Sequence, residues 1–174
     1  VDVNVGSPDK VQQSKFSNVA TQNPEDYQKE FNTIEDEFGL SRGLLSAIME
    51  TETGGTTVDS LKASFQREQA IGSFQQRPIF IKDIKRITKG TPHEEEMANY
   101  DPNDPIQAAK ATAIYINYLK TKRNMVENQA IRSYNAGELG STNKAVKVSQ
   151  AYLKKVKTKQ RRYMNTRSQY SQGI

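Results

Sequence analysis

Two carboxylates, Glu50 and Glu52, lie within the otherwise apolar stretch LLSAIMETETGG. At the helical period of about 100° per residue, one apolar stripe of this segment is formed by Leu44, Leu45, Ile48 and Met49. Glu52 lies about 40° from Ile48, near the centre of that stripe. Glu50 lies on the opposite side, so we expect it to face water. The spacing therefore predicts different roles for the two carboxylates.

An inward-facing carboxyl group such as Glu52 can serve catalysis or structure. Ionised carboxylates are costly in apolar surroundings, so burial raises the carboxyl pKa and lets the group hold a proton near neutral pH. A general acid needs that property. In the alternative, Glu52 binds a buried arginine or a helix N-terminus and only ties the core together. The helix pattern by itself favours neither interpretation.

Polar and aromatic side chains occur together in two later segments, AIGSFQQRP and AIRSYNAGELG. The amide of Gln75 can both donate and accept hydrogen bonds, and Tyr134 offers a ring face together with a hydroxyl. Asn135 offers a second amide. Each also has a local interpretation, in which Gln75 stabilises its loop, Tyr134 is a core aromatic and Asn135 caps a helix end.

Together these segments resemble the soluble lytic transglycosylase and goose-type lysozyme family, which includes transglycosylase domains carried by phage particles. That family has a helix ending in Glu-Ser, then a Gly-Leu-Met-Gln-x-x-Pro loop and a later Tyr-Asn-Ala-Gly segment. In this chain the counterparts, in the same order, are Glu52-Thr53, Gly72-Ser73-Phe74-Gln75 with Pro78, and Tyr134-Asn135-Ala136-Gly137. Further agreements are Asp104-Pro105, Tyr115 and Tyr152. The chain departs from the family in Thr53, in Ser73-Phe74 and in a longer interval between Glu52 and Gly72.

The resemblance implies a mainly α, lysozyme-like domain with a substrate groove and at most a small strand content. It implies that Glu52 cleaves the bond between N-acetylmuramic acid and N-acetylglucosamine in peptidoglycan, as a lytic transglycosylase or a lysozyme. A single carboxylate suffices in that mechanism because the substrate's N-acetyl group assists at the anomeric carbon, so no metal or cofactor is implied. Substrate-binding roles fall to Thr53, Ser64, Phe74, Gln75, Tyr115, Tyr134 and Asn135.

The elements that must position these residues are predicted to be helices. Asn23 and Pro24 mark a helix start, Tyr27, Phe31, Ile34 and Phe38 recur at helical spacing, and Gly39 marks the end. Ser41 is predicted to cap the next helix, which stops at Gly54-Gly55. Further helices are predicted from Pro78 to Gly90, beyond Pro105, from Met125 to Asn135, and through Val148, Tyr152 and Val156. Residues 1–22 are predicted to form an arm, 23–174 the domain, and 56–76 a long loop.

Composition limits the other functions this chain can have. Its 174 residues suit one domain, it has no cysteine and a single histidine, and no apolar run approaches a membrane span. A disulfide framework and thiolate chemistry are thereby excluded, and a histidine-rich metal site is disfavoured. Nucleophile-elbow, phosphate-loop and dinucleotide motifs are also absent from the sequence.

Charge is distributed unevenly along the chain. No Asp or Glu follows Glu138, whereas nine of the 25 basic residues do: Lys144, Lys147, Lys154, Lys155, Lys157, Lys159, Arg161, Arg162 and Arg167. The remaining 16 basic residues are outnumbered by the 20 acidic residues, so the first 138 residues carry a net negative charge. A basic C-terminal helix suits an anionic polymer, although a solvated helix face is the alternative interpretation.

Three interpretations of function thus stay open. The first is a peptidoglycan-cleaving enzyme that acts at the bacterial cell wall, in the periplasm or outside the cell, as part of a virion or secretion assembly. A second is a helical module that binds nucleic acid or wall polymer through its basic helix. The third keeps the same fold as an inactive structural component, and the inward position of Glu52 argues against it.

Overall fold

A computed structural model describes residues 23–53, 69–137 and 143–170. After a 3₁₀ helix at Pro24–Tyr27, the described elements are α1 (Gln28–Phe38), α2 (Leu44–Thr53), α3 (Pro78–Thr88), α4 (Glu94–Ala98), α5 (Pro105–Lys122), α6 (Glu127–Ala136) and α7 (Asn143–Tyr170). Within these residues the only β pairing outside the helices is an isolated bridge between Ile71 and Gln76. The prediction of a mainly α, lysozyme-like fold is confirmed.

Several helix ends form where the sequence signals place them. The side chain of Asn23 accepts a hydrogen bond from the amide of Glu25, and Pro24 occupies the first turn. Gly39 ends α1 in the left-handed conformation, with φ of 63°. Asp104 accepts bonds from the amides of Ile106 and Gln107 at the start of α5. These caps are short-range features, so the sequence alone predicts them.

Other boundaries differ from the sequence predictions. Helix α2 begins at Leu44, and the first amides of this segment bind Glu35 rather than the Ser41 side chain. The short helix α4 was not predicted. The arm at 1–22, the predicted stop at Gly54-Gly55 and most of the 56–76 loop lie outside the described residues.

Helix α2 lies at the centre of the packing and is buried on all sides, because its first six residues, Leu44 to Met49, are all buried. It contacts α1, α5 and, most extensively, α7, which also packs against α6. Where α2 approaches α7, a Cβ on Gly43 would lie 2.9 Å from the Cβ of Tyr163, so this crossing requires glycine. Packing against α7 fixes the position of the helix that carries Glu52.

A search of the described helices for a membrane span found none with the necessary length and apolar character.

Candidate active site

Glu52 lies in the last turn of α2, half-buried, with its carboxylate directed to α7. The hydroxyl of Tyr152 donates a hydrogen bond of 2.8 Å to its Oε1. Burial raises the pKa of Tyr152 well above its ordinary value, and the charge of Glu52 raises it further. The phenol therefore stays protonated and remains a donor to the carboxylate.

Tyr134, in α6, lies close enough to Glu52 for the two groups to interact electrostatically. Its hydroxyl donates a 2.7 Å hydrogen bond to the backbone carbonyl of Phe74, which ties α6 to the loop before α3. Burial raises the pKa of Tyr134 well above its ordinary value, and the nearby charge of Glu52 is the next contribution. Helices α2, α6 and α7 thus bring Glu52, Tyr134 and Tyr152 near one another.

The loop at 71–76 is closed by a pair of backbone hydrogen bonds of 2.9 Å between Ile71 and Gln76. Gly72 has a φ of 73°, and a Cβ at this position would lie 2.0 Å from the carbonyl oxygen of Pro102. Only glycine fits that contact. Gln75 also has a positive φ, 48°, and its Nε2 donates to the carbonyl of Gly72 at 2.9 Å. The local role considered for Gln75 is therefore present, and a contact with substrate stays a prediction.

Behind the loop lies a buried hydrogen-bond network that sequence reasoning missed. Gln76, only 1% exposed, accepts a 2.9 Å bond from the hydroxyl of Tyr100. Its Nε2 donates to the carbonyl of Ala108 and to Oγ1 of Thr112, at 2.9 and 3.1 Å. The Thr112 hydroxyl lies 3.4 Å from that of Tyr134, so the network runs from α5 to the candidate site. The partners are 24 and 36 residues from Gln76, a separation that leaves no local signal.

Two of the aromatic residues predicted to bind substrate lie in the core instead. Phe74 is fully buried and packs edge-on against Phe31, so its ring has no surface to offer a sugar. Tyr115 is 6% exposed, and its ring contacts those of Phe80 and Tyr134 at centroid distances of 5.3 and 6.3 Å. Both side chains pack in the core against the elements that carry the candidate site.

The other predicted contacts are distributed around the end of α2 and α6. The Thr53 hydroxyl donates to the carbonyl of Met49 at 2.7 Å, within its own helix. Asn135 is half-buried in the last turn of α6, next to Tyr134. Ser64 lies outside the described residues. The substrate-binding roles of these three residues stay predictions.

The expectation that Glu50 faces water is wrong. Its side chain is only 22% exposed, and its carboxylate binds the hydroxyl of Tyr163 at 2.5 Å and the guanidinium of Arg162. Hydrogen bonds from these two groups lower the pKa of Glu50, against the opposing effect of its burial. Helix α7 covers the side of α2 that a single-helix projection assigns to solvent, so both carboxylates contact α7.

Glu35 is a further inward carboxyl group, not identified from the sequence. It is fully buried, and its two oxygens accept hydrogen bonds from the amides of Gly43 and Leu45, at 3.0 and 2.8 Å. Burial raises its pKa to about 7, although these bonds and nearby Arg42 act in the opposite direction. The structural role considered for Glu52, binding a helix N-terminus, is thus performed by Glu35 at the other end of α2.

The helical architecture is that of a lysozyme-like fold, and Glu52 lies at the end of one of its helices with Tyr152 and Tyr134 nearby. Residues 29–161 match the family described as the transglycosylase SLT domain, and the chain belongs to that family. No curated protein and no solved structure matched the chain. The family's activity is lytic transglycosylation of peptidoglycan in the cell wall, so the substrate class is peptidoglycan.

Among the described residues, no group of three or more His, Cys, Asp or Glu side chains could hold a metal ion.

Proposed function

We propose that this chain cleaves the bond between N-acetylmuramic acid and N-acetylglucosamine, with Glu52 as both acid and base. The observation that carries this proposal is the hydrogen bond from Tyr152 to Oε1 of Glu52, which fixes a half-buried carboxyl group beside Tyr134. A side chain held in this way loses little conformational freedom when substrate binds. Membership of the transglycosylase SLT family supports the assignment.

In the first step, protonated Glu52 transfers its proton to the glycosidic oxygen as the bond to the muramic anomeric carbon breaks. The N-acetyl oxygen of the muramic residue stabilises the developing positive charge, in the manner of substrate-assisted glycosidases. Glu52 then takes the proton of the muramic hydroxymethyl group, and that oxygen closes the anhydro ring at the anomeric carbon. Glu52 ends protonated, and no water is consumed.

The residues around Glu52 have distinct proposed roles. Tyr152 orients the carboxyl group through its hydrogen bond. Tyr134 is half-buried near it, with its hydroxyl bound to the carbonyl of Phe74. Gln75 and Asn135 provide amides for the sugar N-acetyl groups. Thr53 and Ser64 are proposed to contact the glycan.

The test compares Glu52→Gln with Glu50→Gln, the same change two residues earlier on α2. We expect Glu52→Gln to remain folded and to lose turnover of purified peptidoglycan, because an amide cannot donate an acid proton. Glu50→Gln should retain turnover, since the amide can still accept from Tyr163. Mass spectrometry of the wild-type digest should show anhydro products, lighter by one water than hydrolysed products.

Each contrary result has a clear meaning. Undiminished turnover by Glu52→Gln would remove Glu52 from the mechanism. Hydrolysed products would replace the transglycosylase by a lysozyme mechanism, and no products from the wild-type protein would support the inactive structural component.

The basic face of α7 supports an additional contact with an anionic polymer of the wall. Lys147, Lys154 and Arg161 are exposed and recur every seven residues along this helix. Seven residues are almost two helical turns, so these three cations lie along one side. Such a contact suits action in the periplasm, outside the cell or on a virion. Retention of the protein on an immobilised polyanion should weaken steeply as the salt concentration rises.

A further inference from the structure

A polar cavity of about 410 Å³ lies where the end of α5, helix α6 and the start of α7 meet. Its volume is within the range of small-ligand pockets. Arg123 and Arg132 are in its wall, together with Asn124, Gln129 and Ser149. Glu52, Tyr134 and Tyr152 are not among the described residues that line it, so this cavity is separate from the candidate active site.

The described wall of this cavity is cationic. It contains two arginines and no Asp or Glu. Nε of the half-buried Arg132 lies 3.3 Å from Oγ of Ser149, which fixes the guanidinium against α7. The guanidinium of Arg123 lies 5.7 Å from the ring centroid of Tyr118. Held guanidinium groups bind planar carboxylates well, because their donors match the two oxygens.

The cavity adjoins the proposed active site along two helices. Gly137 lines it and ends the same segment that carries Tyr134, three residues earlier. On α7, Ser149 precedes Tyr152 by three residues, which places both on neighbouring turns of one helix face. A glycan strand bound at Glu52 would therefore bring its substituents near this cavity.

We propose that this cavity binds a carboxylate carried by the glycan strand, with Arg132 as its cationic partner. The inference rests on the proposed function, because it assumes that the strand occupies the site at Glu52. Two sources of the carboxylate share this chemistry: the lactyl group of a peptide-free muramic residue, and the stem peptide attached to it. Neutral chitin oligosaccharides carry neither group.

Binding can be measured without turnover in the Glu52→Gln protein. Affinities for peptide-bearing strands, peptide-free strands and chitin oligosaccharides would be compared before and after adding Arg132→Gln. We expect about a tenfold loss of affinity for the carboxylate-bearing ligands and none for chitin oligosaccharides. A loss confined to peptide-bearing strands would identify the stem peptide, and a loss confined to peptide-free strands would identify the lactyl group. A loss for both strands would show that the cavity accepts either carboxylate.

Arg86→Gln is the matched control, because it removes the same charge from an exposed position on α3, outside both the cavity wall and the basic face of α7. Arg132→Lys keeps the charge but not the planar fork, and should recover only part of the affinity. Equal losses for Arg132→Gln and Arg86→Gln, or an equal loss for chitin oligosaccharides, would overturn the inference. So would unchanged affinity in Arg132→Gln. Absence of cleavage by the wild-type protein would overturn the proposed function alone, since the binding comparison does not depend on turnover.

Discussion

Two inward-facing carboxyl groups, Glu35 of α1 and Glu52 of α2, lie at opposite ends of α2, and their contacts suit them to different roles. Glu35 binds two backbone amides at the start of α2, and both its oxygens are occupied within the core. Glu52, at the other end, is half-buried and receives the phenol of Tyr152. A fully buried group with its acceptors occupied is suited to structure, whereas a partly accessible one can exchange a proton with a bound sugar.

Tyr152→Phe tests whether this phenol positions the proposed acid. The change removes only the hydroxyl that binds Oε1 of Glu52. Hydrogen bonds to charged groups are worth about 1.5–3 kcal/mol, so we expect kcat to fall at least about tenfold with KM little changed. Steady-state kinetics on soluble glycan strands would measure both constants.

The matched control is Tyr163→Phe, because the Tyr163 hydroxyl binds Glu50 from the same helix. This change should lower thermal stability and leave kcat near that of the wild-type protein. Equal losses of kcat in the two variants would show that α7 acts only through general packing.

Sequence reasoning at the level of single residues succeeded where a helix period was sufficient and failed where a distant element was needed. The inward position of Glu52 follows from the spacing of Leu44, Leu45 and Ile48. Glu50 was misassigned because α7 covers α2 on that side, and nothing between Leu44 and Gly55 indicates this contact. Tyr152 follows the same helical period as the core residue Val156, so its position predicts only a core aromatic. Nothing local to it indicates the hydrogen bond to Glu52, which is 100 residues earlier.

At the level of elements, the 71–76 loop depends on the contact between Gly72 and Pro102. Gly72→Ala should force the loop away from Pro102, because the new Cβ would lie 2.0 Å from a backbone oxygen. Thermal unfolding should reveal a loss of about 2–5 kcal/mol, from left-handed strain and overpacking together. Turnover should fall as well, since this loop holds Tyr134 through the Phe74 carbonyl.

Gly90→Ala separates the left-handed strain from the overpacking. Gly90 has a similar φ of 76°, but a Cβ there would meet no atom within 4 Å. Its substitution should therefore cost only about 1–2 kcal/mol of conformational strain and leave turnover intact. If both variants were destabilised equally, the close approach to Pro102 would not matter.

Helices with caps and long apolar periods were predictable, and those without were not. Helix α5 has Asp104-Pro105 at its start and an apolar period along its length, so its position was clear from the sequence. The five-residue helix α4 buries only Met97, which is too little to produce a period. The network around Gln76 joins a loop to Tyr100 and α5, and pairings of that kind depend on tertiary packing alone.

At the scale of the whole molecule, Glu35 couples the folding of the domain to pH. The carboxyl pKa is about 7 in the folded protein, against an ordinary value of 4.5, because burial disfavours the ionised form. Between these two values the folded protein binds more protons than the unfolded chain does, so the free energy of unfolding decreases as pH rises. The contribution of Glu35 is complete below about pH 4.5 and is lost as pH rises through about 7.

Comparison of the wild-type protein with Glu35→Gln isolates this effect, because the amide does not titrate. Between pH 4.5 and pH 8, the free energy of unfolding of the wild-type protein should fall by roughly 3 kcal/mol relative to that of Glu35→Gln. Each pKa unit corresponds to about 1.4 kcal/mol. Denaturant unfolding at several pH values would measure it. Glu30→Gln, a change at an exposed position of the same helix, should give a smaller shift. A difference that stayed constant or grew in favour of the wild-type protein with rising pH would show that the Gly43 and Leu45 amides, rather than burial, dominate the environment of Glu35.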